Sequence, residues 1–326
     1  MRRRSLYVLH VTVKTLSMLQ FHLRTMRPDD WPAVAEVICA SIRTWYASAG
    51  KPGRFPGGPT SCLLFPQVYE ALDPGCCVVA EDPASGRLAG CCFYHPRETH
   101  VSLGIMNAHP DYFGRGVAKS LLRYVCDLAD AAGKPLRLVS SAMNLDSFSL
   151  YTRAGFTARA VFHTMTIKVP AEGLAVASPG SPKVRDARPQ DVPAMAALEW
   201  EASRIRREND YRHFLENRMG IWHASVIENP STGIDGFLVS VKHPASNMLG
   251  PGVMRREADA AALILAELNH HRGGSPAFLV PTTCGGLVQQ LYGWGARNSE
   301  IHLFQARGEA EPFRGVVMPT FMPETG

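Results

Sequence analysis

The 326-residue sequence predicts two mixed α/β domains in tandem, and three observations carry that prediction. Strand-like apolar runs alternate with segments of helical spacing along the chain. "LRTMRPDDWPAV" (23–34) returns as "VRDARPQDVPAM" (184–195), and "SLYTRAGF" (149–156) returns in the same order as "QLYGWGAR" (290–297), the mark of a duplicated unit. Between the copies, "VPAEGLAVASPGSPK" (169–183) is rich in Pro, Gly, Ala and Ser and has little periodicity, as a linker does. The chain therefore divides into an N-terminal extension (1–20), a first domain (21–169), a linker (170–183) and a second domain (184–326).

Each copy opens on Arg-Pro, a polar residue and Asp. Asp30 and Asp191 are suited to cap the helices that follow, and the proline two places on is tolerated in a first turn. Helical spacing then runs through Val34, Val37, Ile38 and Ile42, and through Met195, Leu198, Ala202 and Ile205. In the first copy "CCVVAEDPASGRLAGCCFYH" reads as a hairpin around Asp82, Pro83, Ser85 and Gly86, and "HVSLGIMNA" as a third strand. A helix follows with Ala118, Leu121, Leu122, Val125, Leu128 and Ala129 on one face, ended by Gly133. "PLRLVSSA" is a further strand, and "DSFSLYTRA" a short helix closed by Gly155.

Composition narrows the function. A hydrophobic fraction of 46% and a charged fraction of 19% are those of a globular protein, and no apolar run is long enough to span a membrane. The net charge of +5 suits an anionic small molecule, but no Lys/Arg stripe marks a nucleic-acid binder. In "MRRRSLYVLHVTVKTLSMLQ" the apolar patch is broken by His10, Thr12 and Lys14, so it reads as an extension, or as an early start with Met18 the true one, rather than a secretory signal. Eight cysteines show neither a CxxC pair nor a disulfide framework. A reducing cytoplasmic setting, buried thiols and no metal are the expectation.

"HPDYFGRGVAKSLL" (109–122) places Gly114, Arg115 and Gly116 at the mouth of a helix. Glycine weakens a first turn, so its presence there needs a reason. A helix N-terminus offers unpaired N–H groups and partial positive charge, and glycines let the backbone wrap an anion. A pyrophosphate cradle satisfies that reason, with Arg115 adding a full charge; a plain tight turn is the simpler alternative.

The same residues resemble the GNAT superfamily of acyl-CoA-dependent N-acyltransferases. Its loop, Gln/Arg-x-x-Gly-x-Gly/Ala, is matched by "AHPDYFGRGVA", with Gly116 and Ala118 at the small positions and Phe113 where the family has Gln or Arg. Its "N-x-x-A-x-x-L-Y-x-x-x-G-F" is matched by "NLDSFSLYTRAGF", where Asn144, Leu150, Tyr151, Gly155 and Phe156 agree and Ser147 replaces Ala. The resemblance covers about residues 20 to 169 well and the second half weakly. It implies two tandem domains of mostly antiparallel sheet flanked by helices. It implies acetyl-CoA, or another acyl-CoA, as donor and a small-molecule or peptide amine as acceptor. Direct transfer by a monomer or homodimer is expected.

By the same resemblance, backbone N–H groups from Met106 to Ala108 hold the pantetheine arm, Phe113, Gly114, Arg115, Gly116, Val117 and Ala118 hold the pyrophosphate, and Asn144 and Tyr151 complete the cofactor site. Tyr151 lies where the family places its general acid, a fitting role for a phenol with an ordinary pKa near 10. The family's frequent acidic base falls at Ser102, which cannot deprotonate an ammonium. His100, two residues earlier on the same strand face, is the candidate base, with His95, Glu98 or a water chain as alternatives. The acceptor pocket is expected from residues 44 to 73, through Trp45, Tyr46, Phe55, Phe65 and Tyr69. Lys51 and Arg54 there argue against a polycation. In the second copy Glu257 and Asp259 open the helix that corresponds to the cradle helix and repel phosphates. That copy is expected to be silent, so one cofactor site per chain is expected. The rival reading is a non-catalytic acyl-CoA-binding sensor or interaction module, favoured by Phe113 and the missing acidic base.

Overall fold

The two Arg-Pro-x-Asp turns fold alike. In a computed structural model, which describes residues 21–320 apart from 52, 177–183 and 232, Pro28–Asp30 and Pro189–Asp191 each form one 3-10 turn. The N-terminal extension and half of the linker lie outside the described residues. The Asp30 carboxylate accepts the Arg27 N–H at 2.7 Å and the Arg24 guanidinium at 2.6 and 2.9 Å. Asp191 repeats this with Arg188 at 2.7 Å and Arg185 at 2.7 and 2.9 Å. The sequence predicts that each carboxylate caps the long helix after it, but neither does; each closes the turn before it, because a bidentate guanidinium is the stronger partner.

The first half continues as β1 (His22–Thr25), α1 (Trp31–Ser48), α2 (Gly58–Cys62), α3 (Leu64–Leu72), β2 (Cys77–Glu81), β3 (Leu88–Pro96), β4 (Val101–Ala108), α4 (Val117–Ala131), β5 (Leu136–Ser141), α5 (Leu145–Arg153) and β6 (Thr157–Thr166). The second half gives β7 (Val184–Asp186), α6 (Val192–Ser203), α7 (Glu208–Glu216), β8 (Trp222–Asn229), β9 (Gly233–His243), β10 (Ser246–Met254), α8 (Glu257–His270), β11 (Ala277–Pro281), α9 (Gly285–Gly293), β12 (Arg297–Arg307) and β13 (Val316–Met318). The order repeats, with helices between strands in each half.

All of these strands join one sheet, in the order β1-β2-β3-β4-β5-β12-β6-β11-β10-β9-β8-β7, with β13 added to β10. The halves do not part at the linker. β12, from the end of the second half, lies between β5 and β6, and β6, from the end of the first, lies between β12 and β11. Every pairing is antiparallel except β4 with β5 and β10 with β11. β4 and β5 touch only at Val101–Leu136 and Ser102–Arg137, and then diverge.

One core cluster spans both halves, joining Val34, Ile38 and Val139 to Phe237, Leu279 and Phe304. On the other face of the first half, α4 buries Val117, Leu121, Leu122, Val125, Cys126 and Ala129. The stripe is turned slightly from the expected one, with Ala118 and Leu128 at its half-buried edges. Gly90 on β3 sets the depth of this packing. A Cβ there would lie 2.5 Å from the Val117 side chain and 2.7 Å from the Asn107 carbonyl, so the first turn of α4 rests directly on the sheet.

Candidate active site

Where β4 and β5 part, a cavity of about 300 Å³ opens between them. That volume is at the lower end for a small-molecule site. Residues 103–106 of β4 and 138–141 of β5 form two walls, and Tyr151 of α5 closes a third. From the predicted acceptor stretch, Tyr46, Arg54, Phe55 and Phe65 line the cavity. Tyr69 does not; it stacks on Phe93 with centroids 4.4 Å apart, inside the core. Trp45 packs edge-on against Tyr46 at 4.7 Å.

The glycine loop follows β4 directly. Gly114 (φ +75°) and Gly116 (φ +86°) both take the left-handed conformation that costs a Cβ-bearing residue roughly 1–2 kcal/mol. Nothing stands within 4 Å of a Cβ placed on either, so the loop face is open. Ser120 N–H is bonded to the Gly116 carbonyl, and the N–H groups of the turn before it have no acceptor within the helix. Arg115 lies over the Tyr112 ring at 4.8 Å, and Phe113 is half exposed beside it. Met106 lines the cavity, while Ala108 sits at the strand's end, before the loop. Asn144 caps α5 by accepting the Ser147 N–H at 3.0 Å.

His100 is not brought to the cavity, which corrects its placement as candidate base. It is fully buried, and its tautomer follows from its neighbours. The Thr99 hydroxyl gives its proton to the Arg204 carbonyl at 2.8 Å, so His100 Nδ1–H donates to Thr99 at 2.9 Å and Nε2 accepts from Ser102 at 3.1 Å. Burial, and then the charges of Arg137, Arg97, Arg207 and Lys134, hold it neutral, well below the usual histidine range. The alternatives lie elsewhere too. His95 is buried against Asp73 at 2.5 Å, and Glu98 meets Arg206 at 3.6 Å on the surface.

Instead, β12 delivers two groups that the sequence does not single out. Glu300, 5% exposed, accepts the Ser141 hydroxyl at 2.9 Å within the cavity wall. Arg54 and Lys51 stand 3.8 and 4.0 Å from its other oxygen, and the Arg54 guanidinium lies 4.2 Å over the Tyr46 ring. Burial pushes the Tyr46 phenol up to about 12, so it remains a donor. His302 exchanges a hydrogen bond with Thr164 of β6 at 2.6 Å, and burial holds it down at about 4, neutral at physiological pH. Among the described residues, the one carboxylate that lines the cavity thus comes from the other half of the chain.

The second half differs at each equivalent point. Its parallel pair, β10 and β11, meets at Met248–Ala277 and Leu249–Phe278. Beyond this, β13 lies against β10 from Gly252–Met318 to Met254–Val316 and packs on β11 as well. Glu257 accepts the Leu287 N–H of α9 at 2.6 Å, and the buried Asp259 holds Arg256 by two contacts of 2.8 Å. Tyr292, the counterpart of Tyr151, is 41% exposed.

These features define a class: a helix-flanked, mostly antiparallel sheet whose parallel pair splays beside an anion-ready helix mouth. Residues 41–156 match the profile of the Acetyltransferase (GNAT) family. The match covers 116 of the 326 residues and marks a domain of that acetyltransferase family in the first half of the chain. Similar solved structures include a candidate acetyltransferase from Pyrococcus horikoshii, 14% identical, covering 97% of this chain and 100% of its own, with a TM-score of 0.73. A tandem GNAT protein from the clavulanic acid biosynthesis pathway is 14% identical, over 89% of this chain and 100% of its own, with a TM-score of 0.60. At such identities these likenesses speak for the fold. The UPF0157 protein YqkA of Bacillus subtilis is 33% identical over 72 residues, 22% of this chain, which spans about a fifth (21%) of that relative's length. Among the described residues no helix is long and apolar enough to cross a membrane.

Proposed function

We propose that the chain is an N-acetyltransferase that moves the acetyl group of acetyl-CoA directly to an amine. The observation that carries this reading is the convergence of Tyr151 and the buried Glu300 on one cavity, in the gap between β4 and β5. The open Gly114–Ala118 turn is the pyrophosphate site, fed by backbone N–H groups and the α4 dipole. Glu300 attracts the acceptor's ammonium and takes its proton. The freed amine attacks the thioester carbonyl, the new C–N bond forms as the C–S bond breaks, and Tyr151 protonates the departing sulfur; the surplus proton on the new amide nitrogen leaves through water and reprotonates the phenolate. The acceptor is a small-molecule or peptide amine, and Lys51 and Arg54 at the rim disfavour a polycation.

Calorimetric titration with acetyl-CoA is expected to show one site per chain. Binding at a hundredfold excess over Kd stabilises the fold by about 2.7 kcal/mol, seen as a raised melting temperature. Gly116→Glu places a carboxylate in the cradle and is expected to abolish both signals. Two sites per chain, or an unchanged shift in the folded variant, would overturn the cradle assignment.

Glu300→Gln keeps the shape of the side chain and removes its charge. Turnover is expected to fall roughly 10²-fold, at the lower end for a lost base because water carries part of the proton traffic. The variant's rate should climb with pH as the acceptor loses its proton in solution, while the native enzyme reaches a plateau earlier. Parallel pH–rate profiles with unequal heights would assign Glu300 to positioning alone.

A further inference from the structure

We propose that Asp186, His223 and His270 form a binding site for a divalent transition-metal ion such as Zn²⁺, at the β7 edge of the sheet. The three offer one ligand atom each, all within 4.8 Å of one another. None of them lines the cavity between β4 and β5. They come from three elements: Asp186 ends β7, His223 is the second residue of β8, and His270 is the last residue of α8.

The geometry of His223 points to a cation rather than to a plain ion pair. Its Nδ1 lies 3.0 and 3.1 Å from the two oxygens of Glu267, a fully buried carboxylate that also accepts the Ser225 and Ser240 hydroxyls at 2.6 Å each. Nδ1 therefore carries a hydrogen, and Nε2 faces outward. It stands 3.4 Å from Asp186 Oδ1. A direct N–H···O bond prefers roughly 2.7–3.2 Å. A tetrahedral ion with bonds of about 2.0–2.1 Å sets its ligands about 3.3 Å apart. The Asp186–His223 spacing is that of two ligands around an ion, and all three ligand atoms lie within 4.8 Å of one another.

A buried carboxylate holding the far nitrogen of a ligating histidine is the usual support for a metal site, since it fixes both tautomer and ring. Glu267 and His270 are one helical turn apart on the same face of α8, so one helix supplies the support and a ligand. The His270 ring stacks on His223 with centroids 3.4 Å apart and is solvent-exposed, so it can turn its nitrogen toward the ion. The negative end of the α8 dipole adds attraction for a cation. Three protein ligands leave a position for water. Bound there, the ion ties the edge strand β7 to β8 and α8.

The test uses the full chain, stripped of metal by chelation and titrated with Zn²⁺ by calorimetry and Co²⁺ by visible absorption. One equivalent is expected, with the Co²⁺ bands of a four- or five-coordinate ion lacking thiolate charge transfer, and a melting temperature raised by Zn²⁺. His270→Ala, at an exposed position that leaves the core intact, is expected to remove the thermal shift and weaken binding at least about tenfold. Glu267→Gln should weaken it roughly 10–100-fold. Failure to bind, a cysteine-ligated spectrum, or full affinity in a His223→Ala/His270→Ala double variant would each overturn the site. In those cases His223 is a protonated bridge between Asp186 and Glu267.

Discussion

Tyr151→Phe is expected to lower turnover about 10²- to 10⁴-fold while leaving acetyl-CoA affinity nearly unchanged. The ring is buried, lines the cavity and packs against Phe156 with centroids 5.8 Å apart, contacts that phenylalanine keeps. What is lost is the hydroxyl group, and with it the proton. If that proton goes to the departing thiolate, its removal affects the chemical step and little else, so kcat falls and the acetyl-CoA dissociation constant does not move. Steady-state kinetics with a panel of amines, paired with calorimetry, separates the two quantities. Native turnover in the variant would return Tyr151 to a packing role. Its counterpart Tyr292 is an internal control: exposed at 41%, it should tolerate the same change without effect.

The second large effect concerns the chain itself. Expressed separately, residues 21–169 and 184–326 are expected to aggregate or remain unfolded; expressed together, they should assemble into a complex with a single cooperative melt. The cause is the strand order. Alone, the first fragment leaves β5 without β12 and β6 without either neighbour, and the second leaves β12 without partners and β11 without β6. Bare edges of this kind pair with other chains. The core cluster shared by Val34, Val139, Leu279 and Phe304 is cut as well. Gel filtration and thermal melting decide the matter, and a lone fragment that melts like the intact chain would sink the idea. Co-assembly restores Glu300 to the cavity, so acetyl transfer should return with it.

Much of the local structure can be read directly from the sequence. The hairpin at 76–95, the stripe on α4 and the glycine turn all rest on periodicity and turn chemistry, which act over a few residues, and they appear where expected. The helices α2, α3 and α7 are not legible in the sequence. Pro56, Pro59 and Pro66 punctuate the α2–α3 stretch and mask its helical spacing. The larger gap is the exchange of β6 and β12. Both strands follow the echoed "LY" helices, so each has the local pattern of a closing strand, and nothing within a strand says which copy's edge it will join. For that reason nothing in the sequence ties Glu300 and His302 to a first-half cavity, and the strand nearest in sequence offers His100 instead. The metal ligands were hidden in the same way. Cysteine spacing is a local signal, whereas positions 186, 223 and 270 meet only after folding.

The place of β13 has one more consequence. In the first half the gap between the parallel strands is left open, and in the second it is filled by Val316–Met318 of the chain itself. A covalently attached occupant competes as an intramolecular ligand, at an effective concentration set by its tether and independent of dilution. It also buries Val316, Val317 and Met318, side chains that an acyl carrier would have to displace and leave in water. On the proposed reading, the second half thus carries its own built-in competitor, and it serves as a clamp whose last long strand sets the Glu300 carboxylate in the cavity of the first half.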